Sequence, residues 1–202
     1  ILDRHILRNL VKLKVIKEKI EEQLEIFFDE KILNAKDKIS KESLEFLKDF
    51  TLRGGKRIRA GMLVYGYGCF RKVDDEIIKT AMAIELVQSY LLIHDDIIDR
   101  DELRRGKDSM HAIYRKEYNV DDKEHFGVSM AICVGDLAAC LANEILLNSS
   151  FKNKAKAAMA MNNVLETVVY GQMLDVFYGK ISSDELSEED VLNVYRMKSA
   201  SY

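Results

Sequence analysis

No proline occurs anywhere in the 202 residues, and glycine appears only 10 times. Proline breaks helices because it lacks an amide hydrogen and its ring collides with the preceding turn, so a chain without it can run helical ladders for many turns. An all-α fold is therefore the expectation. Apolar residues make up 48% of the chain, enough to fill one ordinary core without disulfides or a structural metal. The three cysteines, Cys69, Cys133 and Cys140, are odd in number and show no C-x-x-C spacing. They suggest neither a disulfide framework nor a thiolate zinc site, and they read as small buried apolar side chains.

Charge narrows the function. Lys and Arg number 31 against 34 Asp and Glu, a net charge of −3, which lacks the strongly basic field of a protein that grips nucleic acid. No nucleic-acid partner is expected. No uninterrupted apolar run approaches the ~20 residues needed to span a bilayer, and the first residues show no signal-peptide core, so the reading is cytoplasmic with no integral membrane segment.

Apolar residues Ile6, Leu10, Leu13, Ile16, Ile20, Leu24 and Phe27 recur at threes and fours, which predicts an amphipathic helix from Asp3 to about Asn34. Its basic first half (Arg4, Arg8, Lys12, Lys14, Lys17, Lys19) reads as a solvated face rather than a membrane-binding one. Further helices are expected over Ser40–Phe50, from Arg57 to Gly66–Gly68, and over Asp74–Arg100, Ser109–Tyr118, Lys123–Leu147 and Lys152–Tyr178. Ser187 and Asp190 have the spacing of a helix N-terminus for a last helix through Lys198. Short connections and the absence of a fixed repeat argue for one helical domain over residues 1–202.

Three carboxylates interrupt an apolar stretch at Leu91-Leu92-Ile93-His94-Asp95-Asp96-Ile97-Ile98-Asp99. On a helix, Gln88, Asp95 and Asp99 fall within a stripe roughly 40° wide, and the two aspartates stand about 6 Å apart along the axis. Such a pair repels itself unless a cation relieves it, and hard oxygen donors suit Mg²⁺ carrying water and substrate phosphates. A solvent-facing helix end paired with the following arginines is the competing reading of the acids alone. Two compact cationic loops accompany them: Gly54-Gly55-Lys56-Arg57-Ile58-Arg59 and Arg104-Arg105-Gly106. Glycine lets backbone approach an anion, and arginine forks bind phosphate oxygens in pairs. Diphosphate fits this set, whereas the nucleotide-binding G-x-x-x-x-G-K-[ST] loop is absent. His5, His94, His111 and His125 form no H-E-x-x-H pair; His94 reads as a packing or hydrogen-bonding residue.

Together with Gly135-Asp136, Gly171-Gln172-Met173-Leu174-Asp175 and Lys198-Ser199-Ala200, these motifs make six ordered matches. The chain thus resembles the trans-isoprenyl diphosphate synthases, the polyprenyl synthetase family that includes farnesyl and geranylgeranyl diphosphate synthases. The resemblance implies the isoprenoid synthase fold, a helical bundle around a central apolar cavity. It implies that Asp95 and Asp99 hold Mg²⁺, supported by Asp96, and that Arg104, Lys198, Ser199, Gln172 and Asp175 act on an allylic diphosphate. Lys56, Arg59, Gln88 and Arg105 would hold isopentenyl diphosphate. Tyr90 and Leu91, five and four positions before the first aspartate, would floor the product tunnel. A geranylgeranyl product is implied first and a farnesyl product next, with the enzyme a homodimer. Departures from the family pattern are Ala60 for a common proline, Ser199 for a common threonine, and a sequence that stops at Tyr202 before a second aspartate-rich motif. The single domain is accordingly expected to lack its C-terminal part. A non-catalytic subunit that binds a partner synthase is the alternative function; a redox-metal bundle lacks its Glu-x-x-His pairs, and a terpene cyclase has no use for a second diphosphate site.

Overall fold

The computed structural model describes the backbone of residues 4–202 and the side chains from Lys12 onward, apart from Ser183. The side chains of Arg4, His5, Ile6, Arg8 and Leu10 thus lie outside the described residues. The order is α1 (Arg4–Leu33), α2 (Lys38–Leu52), α3 (Ile58–Gly68), α4 (Asp75–Asp99), β1 (Leu103–Arg104), β2 (Lys107–Asp108), α5 (Met110–Glu117), α6 (Lys123–Asn148), α7 (Lys154–Tyr178), a 3₁₀ turn (Ser183–Glu185), α8 (Glu188–Val194) and a π-helical segment (Tyr195–Ala200). The fold is all-α, as the proline-free chain predicts. Its contacts gather into two compact units, residues up to Ser150 and Phe151–Tyr202.

In the first unit, α4 and α6 pack along each other, with α5 on α6 and α1 and α3 on α4. Asp74 caps α4 by accepting the amide of Ile77 at 3.0 Å, which satisfies one of the donors a helix start leaves bare. On α1, Ile20, Leu24 and Phe28 are fully buried at a spacing of four, and Phe27 packs edge-on against Phe28. Lys12, Lys14 and Lys19 are exposed and Lys17 partly so, which fits a solvated face over the described part of that basic stretch. On α6 many of the buried positions are small, Ala131, Gly135, Ala138 and Ala142 among them, which brings its axis close to α4. A Cβ at Gly135 would lie 2.7 Å from the His94 ring. His94 is therefore seated by packing.

Two sequence expectations are corrected here. All three cysteines are exposed rather than buried; each falls on the outward side of a helix or just past its end, where a small side chain carries little burial. Asp75–Asp99 and Lys123–Asn148 are each long and apolar enough, by length and composition, to cross a bilayer, although no uninterrupted run suggested it. Within the protein 61% and 44% of the respective windows are buried, and the two helices pack along each other.

The second unit is built on α7. Ser187 accepts the Asp190 amide while Asp190 accepts the Ser187 amide, a reciprocal cap that starts α8 where the sequence predicts it. The helix then loosens into the π-helical segment instead of continuing regularly to Lys198. That segment crosses α7 at Gly171, where a Cβ would stand 2.4 Å from the Lys198 amide nitrogen.

Candidate active site

Between α2 and α3 the backbone turns left-handed three times, at Gly54 (φ 84°), Gly55 (φ 110°) and Arg57 (φ 51°). The glycines adopt this at little cost; Arg57 does so because its side chain is fixed elsewhere. Facing this loop is a hairpin whose two-residue tip, Arg105-Gly106, has positive φ at both positions, as a type I′ turn requires. The sequence reading leaves this segment as a polar loop. Strands of two residues have no period to detect.

The hairpin is tied to the end of α2. Arg53, its side chain 4% exposed, donates to the Asp108 carbonyl and to Asp49, and Lys107 pairs with the same Asp49 at 2.7 Å. So held, Arg105 donates from Nη1 to the Gly54 carbonyl at 2.6 Å. A Cβ at Gly55 would come within 3.1 Å of its guanidinium. Burial, then the nearby Arg57 charge, pull the Arg105 pKa below its ordinary value.

These elements enclose a cavity of about 420 Å³ lined by Lys56, Arg57, Arg59, Glu85, Gln88, Arg104 and Arg105, among others. Lys56, Arg59, Gln88 and Arg105, separated by up to about fifty positions in sequence, are thereby brought together. The Gln88 side-chain oxygen is buried without a hydrogen-bond partner among the described residues. Such a group waits for a ligand or a water.

Arg57 and Glu85 escaped the sequence reading. Arg57 donates from Nε to Glu21 on α1 at 2.9 Å, from Nη1 to Glu85 on α4 at 2.8 Å and from Nη2 to the Thr51 carbonyl at 2.8 Å. The available signal was a carboxylate at Glu85 inside the apolar run Ala83-Ile84-Glu85-Leu86.

About two and three turns beyond Gln88 along α4 stand Asp95 and Asp99, with Asp96 between them. Asp96 is fully buried and accepts from Arg104 Nε at 2.6 Å and from Nη2. Burial pushes its carboxyl up to about 6 despite the opposing pull of Arg104. Asp95 is a quarter exposed, 3.7 Å from Arg104 Nη2, and Asp99 is exposed at the helix end. The helix continues unbroken through both, so they stay one turn apart. Among the described residues no cluster of three or more Asp, Glu, His or Cys side chains could hold a metal by itself. The partly exposed Asp95 and exposed Asp99 nevertheless suit Mg²⁺, which takes one or two carboxylates and keeps its other positions for water and substrate oxygen.

Tyr90 packs edge-to-face on His94, ring centres 4.9 Å apart, and His94 Nε2 is 3.7 Å from Asp136. Tyr90 and Leu91 are partly buried, outside the residues lining the cationic cavity. In the second unit, Lys198 Nζ pairs with Asp175 at 2.6 Å, Ser199 is exposed, and Gln172 Nε2 is buried without a hydrogen-bond partner among the described residues.

The sequence profile of the polyprenyl synthetase family matches residues 40–202. A short-chain isoprenyl diphosphate synthase of Methanocaldococcus jannaschii is 32% identical over 166 residues, covering 81% of this chain and 44% of that protein. A geranylgeranyl pyrophosphate synthase of Geoglobus acetivorans is 30% identical over 92% of this chain and 51% of its own. Among solved structures, a Corynebacterium glutamicum geranylgeranyl pyrophosphate synthase complexed with isoprenyl diphosphate and magnesium superposes with a TM-score of 0.80, at 32% identity, over 93% of this chain and 56% of that one. The chain spans about half the length of these relatives.

Proposed function

The chain belongs to the polyprenyl synthetase family, and from that premise we propose that it joins isopentenyl diphosphate to an allylic diphosphate, giving geranylgeranyl or farnesyl diphosphate. The carrying observation is the cavity, which gathers Lys56, Arg59, Gln88 and Arg105 beside the helix that bears Asp95 and Asp99. In the reaction the allylic C–O bond breaks, the isopentenyl double bond attacks the freed allylic carbon, and a proton passes to the released diphosphate.

Lys56, Arg59 and Arg105 bind the isopentenyl diphosphate, with arginine forks fixing two oxygens at a time. Gln88 has an unused polar group to orient it. Asp95 and Asp99 hold Mg²⁺, which supplies, when bound, the positive charge that a departing diphosphate needs. Asp96 acts one step back: it anchors Arg104, which stands 3.7 Å from Asp95 and also lines the cavity. In the second unit, Lys198 and its partner Asp175, with Gln172 and Ser199, are assigned to the allylic diphosphate on the family likeness. The profile runs across both units, which supports treating them as parts of one isoprenoid synthase domain. A homodimer in the cytoplasm is included in the proposal on the same likeness.

The test is incubation of the purified protein with labelled isopentenyl diphosphate, farnesyl diphosphate and Mg²⁺. A labelled twenty-carbon diphosphate that disappears on chelation of the metal is expected. No incorporation of label, with folding intact, refutes the proposal.

A further inference from the structure

Arg57 sits in the centre of the basic loop yet faces away from solvent, its side chain 2% exposed, while its neighbours Lys56 and Arg59 are exposed. Its three bonds reach three different helices: Glu21 on α1, Glu85 on α4 and the Thr51 carbonyl in the last turn of α2. Its backbone holds φ 51°, a conformation disfavoured for a side chain of this size, at the position where α3 begins. The strain is sustained because the guanidinium is fixed from three directions.

We propose that the trio Glu21–Arg57–Glu85, with Arg57 and Glu85 buried and Glu21 partly exposed, is a positioning device that sets the spacing and direction of Lys56 and Arg59 toward the diphosphate. The proposal rests on the reading of the cavity as a diphosphate site. A buried ion network gains little stability over apolar side chains filling the same volume, because desolvation cancels most of the attraction. What it does supply is directional bonds, and here they tie the loop to α4, which forms a cavity wall, and to α1 and α2 behind it. The trio also carries one net negative charge directly behind Lys56, Arg59, Arg104 and Arg105. That charge offsets the mutual repulsion of Lys56, Arg59 and Arg105, while Arg104 is already paired with Asp96. Glu85 itself reaches the cavity wall, so the offset lies at the site.

Charge and position make opposite predictions for Glu85→Gln. As pure charge, removing a carboxylate from the wall of an anion site tightens anion binding. As position, it replaces a charge-assisted bond to Arg57 by a weaker one, lets the loop drift and weakens binding.

Inorganic pyrophosphate is titrated calorimetrically into the purified chain, with affinity expressed per folded molecule well below each thermal midpoint. Lys56→Ala serves as the direct-contact reference, expected to weaken binding about tenfold. Glu85→Gln is expected to weaken it about tenfold as well, although it makes the wall more positive. Glu21→Gln, whose amide oxygen still accepts from Arg57 on a partly exposed side, keeps the fold and weakens binding roughly threefold. Unchanged or tighter binding in folded Glu85→Gln overturns the positioning role; should that variant not fold, unchanged binding in Glu21→Gln overturns it instead. Failure of the wild type to bind, or indifference to Lys56→Ala, overturns the diphosphate reading and the trio's role with it.

Discussion

Asp96 and Arg104 form an ion pair in which the acid is completely buried and the base about a quarter exposed, eight positions apart across the end of α4. The aspartate-rich stretch therefore divides its labour. Asp95 and Asp99 keep access to solvent, while the residue between them faces inward and fixes the hairpin that carries Arg104 and Arg105.

Removing one member of that pair leaves the other uncompensated. Arg104→Met is expected to cost about 2–4 kcal/mol in urea unfolding, because Asp96 keeps its burial and loses its counter-ion. Adding Asp96→Asn should recover more than half of the loss, since a buried amide needs no counter-charge. Equal stability of the single and double variants would show that the pair is not coupled.

Gly171 lets the π-helical segment cross α7 at contact distance. Gly171→Ala gains up to ~1 kcal/mol of helix propensity, but its Cβ meets backbone, the Lys198 nitrogen at 2.4 Å and the Met197 carbonyl carbon at 2.8 Å. Backbone cannot rotate aside, so the clash wins and a net loss of about 1–3 kcal/mol is expected. A rise in thermal midpoint would contradict the close crossing.

His111 is buried at the start of α5, near Ser109 Oγ at 3.3 Å, and burial lowers its pKa from the ordinary 6.5. The unfolded chain takes up a proton on this side chain below about pH 6.5, before the folded one does, so stability falls as pH drops through that region. His111→Gln should flatten the thermal midpoint between about pH 5 and 7. An unchanged acid slope in the variant assigns the loss to other groups.

Tyr90 packs on His94, and its ring is assigned to the tunnel floor on the family likeness, so Tyr90→Ala is expected to lengthen the product beyond twenty carbons. Chromatography of the dephosphorylated products is the measurement. An unaltered product ladder removes Tyr90 from that role.

Much of this arrangement was legible in advance. Asp74, Ser187 and Asp190 mark helix starts because short polar side chains compensate bare amides there, and Lys56, Arg59, Gln88 and Arg105 meet in one cavity. What the sequence hid follows a common physical cause: burial of a charge is decided by partners distant in the chain. Arg57 is indistinguishable from Lys56 and Arg59 until Glu21 and Glu85 arrive from two other helices, and Asp96 from Asp95 until Arg104 folds back. The hairpin's rungs were too short to show a period, and nothing in Tyr195–Ala200 announces its wider π turn. Cys133 and Cys140 looked apolar enough for a core, but they lie on the outward side of α6.

The tip of the hairpin has one more consequence. Arg104 ends a strand and Arg105 begins the left-handed turn, so the two side chains part: Arg104 goes to Asp96 while Arg105 goes to the Gly54 carbonyl. Shifting the turn by a single residue would take each arginine out of the backbone conformation that aims it, so where the corner falls between Glu102 and Ser109 matters alongside which side chains it carries.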